Sequence, residues 1–85
     1  MKWGRCSQPT VSLQGGLLGT VLRSRGLSCR RATQELELLV YVEGRLRPSV
    51  GSYWYWDCTS DGGRFDVRYY KCRYGKRMFR ATVGA

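Results

Sequence analysis

The sequence predicts an all-β fold: a small antiparallel barrel or sandwich of five to six short strands around a central hairpin. Three observations carry that expectation. Residues 53–72, YWYWDCTSDGGRFDVRYYKC, set two runs of aromatic and β-branched residues around Asp61-Gly62-Gly63-Arg64, and paired glycines suit the positive-φ geometry of a tight hairpin turn. Leu36, Leu38, Val40 and Val42 alternate with Glu37, Leu39, Tyr41 and Glu43, the period-two pattern of a half-buried strand. The remaining apolar runs, 10–22 and 77–83, are short and bounded by turn residues, and no repeat or low-complexity segment interrupts them. At 85 residues the chain has room for one core, so it reads as a single domain, 1–85.

Taken in order, MKWGRC lacks the apolar run of a signal peptide, and no stretch approaches the roughly 20 apolar residues of a membrane span. Residues 10–22, TVSLQGGLLGTVL, read as two short strands about Gly15-Gly16, with Gly19 weakening the second or marking a bulge. The basic stretch 23–31, RSRGLSCRR, reads as a loop. From Ala32 to Leu39 helix formers compete with strand; VYV decides for strand from about Glu37 onward, with a short helical turn before it. Pro48 to Ser52 turns the chain into the central hairpin.

With Gly62 and Gly63 as the loop, Asp61 faces Arg64, Asp57 faces Arg68, Trp56 faces Tyr69 and Tyr55 faces Tyr70. Opposite charges and aromatic pairs then meet, each worth roughly 0.2–1 kcal/mol. This register puts Cys58 with Trp54, Trp56, Val67 and Tyr69 on one face, and Cys72 with Tyr53, Tyr55, Asp57 and Tyr70 on the other. Cys58 and Cys72 would then not bond to each other, and each would pair with Cys6 or Cys29; a Cys58–Cys72 bond requires a shifted register or a bulge. Trp54, Trp56, Phe65, Val67 and Tyr69 form the expected core. After Gly75, residues 77–83 form a last strand. A two-residue Gly75-Lys76 turn would set Lys71 against Arg80, so a longer or bulged connection is expected there.

The four cysteines, Cys6, Cys29, Cys58 and Cys72, suit a disulfide framework, which places the chain in an oxidising, secreted setting; free thiols would place it in the cytoplasm. The formal net charge is +9. Residues 1–31 carry six cations and no acid, residues 64–85 seven cations against Asp66, and the middle is acidic. Two basic segments folded onto one side would attract phosphates, anionic lipid or an acidic protein face.

Catalytic chemistry is poorly supplied. The chain has no His, which removes the usual general base near neutral pH and the commonest metal ligand. No C-x-x-C knuckle or glycine-rich phosphate loop is present, so no metal or cofactor is expected. Recognition through a surface remains. Basic and aromatic residues interleave along the C-terminal half, and a face exposing Tyr53, Tyr55 and Tyr70 beside Arg68 and Arg80 would stack unpaired bases and hold their phosphates. The expectation is a non-enzymatic protein binding nucleic acid or another polyanion through Arg68, Tyr70, Arg73, Arg77 and Arg80, with Arg30 and Arg31 as an added arm. The alternative is a secreted, disulfide-stabilised antimicrobial, toxin or host-directed effector, using the same charge on an anionic membrane surface or an acidic target protein.

Overall fold

The structure is a computed structural model, described here for residues 2–49, 51, 54–64 and 66–84. Its elements run β1 (Gly4–Arg5), β2 (Val11–Ser12), β3 (Leu18–Arg25), α1 (Cys29–Glu37), β4 (Leu39–Val42), β5 (Arg45–Pro48), β6 (Asp57–Arg64), β7 (Val67–Tyr74) and β8 (Arg77–Gly84). A six-stranded antiparallel sheet has the order β1-β3-β8-β7-β6, with β2 also on β3, and β4 and β5 form a separate hairpin. The all-β antiparallel architecture is as the sequence predicts, and the sheet stays open rather than closing into a barrel.

One face of the sheet is the core. Val21 from β3, Tyr70 and Cys72 from β7, and Phe79, Ala81 and Val83 from β8 are buried together with Ala32 and Leu36 from the helix and Leu39 and Leu46 from the small hairpin. Fully burying side chains such as Phe79, Leu36 and Leu39 contributes roughly 1.5–3 kcal/mol each. The helix seats closely because Gly19 lacks a side chain: a Cβ there would lie 3.0 Å from Leu36 Cδ2 and 3.3 Å from Leu13 Cδ1. Beside it, Trp56 packs edge-on against Phe79 at 4.8 Å between centroids, and its Nε1 donates to Glu35 Oε1 at 2.9 Å.

The helix occupies residues expected to be a loop and a turn before a strand. Cys29, Ala32, Thr33 and Leu36 fall on one face, and the Ser28 side chain accepts from the Arg31 amide at 3.0 Å as N-cap. Helical spacing with a cap outweighs the polarity of 23–31. Upstream, Arg23 and Arg25 continue β3, which also corrects the loop assignment.

The hairpin register is corrected as well. Pairing runs Asp57↔Arg73, Cys58↔Cys72, Thr59↔Lys71 and Ser60↔Tyr70, then continues past the glycines to Gly63↔Arg68 and Arg64↔Val67. Gly62, at φ +100°, serves a bulge between Ser60 and Gly63 in place of a turn. Burial chooses this register, because it turns Tyr70 and Cys72 inward with the buried residues of β8. The disulfides are therefore Cys58–Cys72 and Cys6–Cys29, and the expected cross-links between hairpin and N-terminal third do not occur. Val67 and Tyr69, expected in the core, are exposed, whereas Trp56 is buried and Trp54 partly so. The expectations for Tyr53 and Phe65 lie outside the described residues.

Candidate polyanion-binding face

Helix and small hairpin cover one face of the six-stranded sheet; the register assigns what stands on the other. Arg5 faces Arg23, Arg23 faces Arg80, Arg80 faces Lys71, and Lys71 faces Thr59. Directly opposed residues of antiparallel strands share a face, so Arg5, Arg23, Arg80 and Lys71 form one row across four strands. At about 4.8 Å per strand the row spans about 14 Å. The next row on that face is Arg25, Met78, Arg73 and Asp57. On the other side of the cationic row stand Thr20, Thr82 and Tyr69.

The expected bulge between β7 and β8 is absent. Tyr74 pairs with Arg77, leaving the two-residue Gly75-Lys76 turn, and Lys71 does stand against Arg80. Like charges directly opposite are destabilising, yet here three such pairs are consecutive. Among the described residues, Arg80 alone in the row has an ion-pair partner, Asp61 from the β6 bulge, two strands away.

Shallow depressions lie along the face among the described residues. One of about 270 Å³ is lined by Leu22, Arg23, Tyr69, Arg80 and Ala81. One of about 200 Å³ is lined by Asp57, Thr59, Lys71, Arg73 and Met78, and one of about 500 Å³ by Arg25, Arg73, Gly75, Lys76 and Met78.

The residues expected to bind do not share one place. Arg73 and Arg80 stand on the open face. Arg77 and Arg31 come together elsewhere, their guanidinium carbons 4.5 and 4.6 Å from the Trp54 ring centroid, and Arg31 also pairs with Glu35 at 3.2 Å. Arg30 is exposed on the helix, and Arg68, opposite Gly63 and Val83, is exposed but shares the strand parity of the core face. Tyr70 is corrected outright: it is 2% exposed, its hydroxyl donating to the Gly44 carbonyl at 2.7 Å and lying 3.2 Å from the Tyr41 hydroxyl. Burial, reinforced by the Tyr41 hydrogen bond, pushes its pKa up to about 12. It supports the fold and is out of reach of a base. Sequence reasoning missed Arg5, Arg23, Arg25 and Lys71 as partners of Arg80, and placed Tyr69 in the core. The signal for two of them was present, since Arg23-Ser24-Arg25 alternates charged and small residues as a half-buried strand does, and Ser24 is indeed buried.

Among the described residues no group of three or more His, Cys, Asp or Glu is placed to hold a metal ion, and no helix is long and apolar enough to cross a membrane. Comparison with protein-family models, with curated proteins and with solved structures returns no match for this chain.

Proposed function

We propose that this protein is a non-enzymatic binder of polyanions, in the first place of nucleic acid, and that the open face of its six-stranded sheet is the binding surface. The observation that carries the proposal is the row Arg5, Arg23, Arg80 and Lys71, in which three successive cross-strand pairs oppose like charges. A fold has no stability reason to assemble such a row, and a ligand bearing successive negative charges relieves the repulsion. Arginine dominates the face, and its planar fork matches phosphate oxygens.

The test compares two variants with equal loss of charge. Arg23→Ala, Lys71→Ala and Arg80→Ala together remove three cations from the row; Arg30→Ala, Arg45→Ala and Arg47→Ala remove three from the helix and the small hairpin. For a single-stranded oligonucleotide the first triple is expected to weaken binding and to reduce the slope of log affinity against log salt by about 2. The second is expected to leave both nearly unchanged. Equal losses would reduce the surface to net charge alone and remove the face from consideration.

A second reading is favoured by the two disulfides, which pair all four cysteines. They suit a secreted cationic effector, toxin or antimicrobial acting through the same face on an anionic membrane surface or an acidic protein. Preference for anionic vesicles over oligonucleotides in the same salt series would select it.

A further inference from the structure

We propose that the depression lined by Leu22, Arg23, Tyr69, Arg80 and Ala81 is a pocket for one unpaired nucleobase, making single-stranded nucleic acid the ligand of the open face. This deepens the polyanion proposal and rests on it. The pocket is built by two irregularities. In β3 the register shifts between Val21 and Arg23, so that Leu22 is the extra residue: it stands 38% exposed on the side away from the buried Val21, and Arg23 stays on that open face with it instead of turning into the core. In β6 the shift between Ser60 and Gly63 leaves Asp61 and Gly62 opposite the single residue Tyr69, which is also 38% exposed. The β3 bulge thus keeps Leu22 and Arg23 side by side on the open face, and Tyr69 on β7, opposite the β6 bulge, closes the depression beyond Arg80.

Size and chemistry agree. About 270 Å³ lies below the roughly 300–1,000 Å³ of sites that enclose a drug-sized molecule and suits a single planar ring. A base has a π-face for Tyr69 and an apolar contact for Leu22, while the phosphates on either side of it reach Arg23 and Arg80. A duplex keeps its bases stacked inside and offers this pocket nothing; a sulfated polysaccharide offers charge without an aromatic face.

The experiment uses the full, disulfide-bonded chain and three probes: a single-stranded oligothymidylate, a DNA duplex of matched charge, and heparin. Tyr69→Ala is expected to weaken binding of the oligothymidylate by roughly 5- to 150-fold, the range for losing one stacked base, while duplex and heparin affinities stay as they were. Tyr69→Phe is expected to retain wild-type affinity for all three. Leu22→Ser supplies an independent variant and is expected to give the same selective loss. Equal loss on all three probes, or no loss on the single strand, would overturn the base pocket while leaving the charged face standing. Wild-type protein that binds none of the probes would overturn both.

Discussion

Lys71 and Arg80 stand directly opposite each other on neighbouring strands, and Arg80 faces Arg23 on its other side. The arrangement trades stability for charge density. Replacing Lys71 by Thr, a residue suited to strands, is expected to stabilise the fold by about 0.5 kcal/mol at low salt while weakening polyanion binding. Urea unfolding at several ionic strengths checks it: the gain should shrink as salt screens the row. A variant less stable at low salt would show that Lys71 is held for packing.

Asp61 occupies the Arg80 guanidinium that, under the proposed function, a ligand's anion would take. It reaches Arg80 from the bulge of β6, and both side chains are partly exposed. Asp61→Asn is expected to strengthen oligonucleotide binding and to steepen its salt dependence, because the guanidinium no longer exchanges a carboxylate for a phosphate. Weaker binding on titration would mean that Asp61 instead holds Arg80 in its productive position.

Tyr70 makes stability depend on pH at the alkaline end. Its folded pKa, raised by burial from 10.0 to about 12, means that between those values the unfolded chain has lost the proton and the folded chain has kept it. Tyr70's contribution is therefore complete below pH 10 and is lost as pH rises toward 12. Tyr70→Phe is expected to lower stability by about 1–2 kcal/mol near neutral pH, since the Gly44 carbonyl loses its donor, and to flatten this alkaline fall. Parallel curves for the two proteins would show that Tyr70 has no such role.

Glu35 ties the helix to the sheet. Its carboxylate is buried, accepting from Trp56 Nε1 through one oxygen and from Arg31 Nε through the other. Glu35→Ala leaves the indole N–H without its partner and is expected to cost about 2–3 kcal/mol. Thermal unfolding of the variant checks this, and an unshifted midpoint would contradict it.

How much of this was legible in the sequence differs by element. The strand nature of Leu39–Val42 and Arg77–Gly84 could be read from local pattern, as β-branched residues and alternation act within each segment. The hairpin register could not. Gly62-Gly63 satisfies a turn and a bulge equally well, and the choice depends on which face β8 buries, a contact made with Phe79, Ala81 and Val83 outside the hairpin. The disulfide pairing followed that choice, so one shift of register corrected the cysteines, Tyr69 and Tyr70 together. The helix was obscured because basic residues at 30 and 31 mask the spacing of Cys29, Ala32, Thr33 and Leu36. Of the proposed binding surface, Arg73 and Arg80 could be named from composition. Arg5, Arg23 and Lys71 became its partners only through the strand order, which places β8 between β3 and β7.

The most direct test of the face is to follow the arginine side-chain Nε–Hε resonances of the folded protein by nuclear magnetic resonance while a single-stranded oligonucleotide is added. Arg23, Arg73 and Arg80 are expected to shift together and saturate with one affinity, while Arg30, Arg45 and Arg47 stay in place. Shifts on the helix and small hairpin with none at Arg23 and Arg80 would contradict the assignment of the open sheet as the binding face.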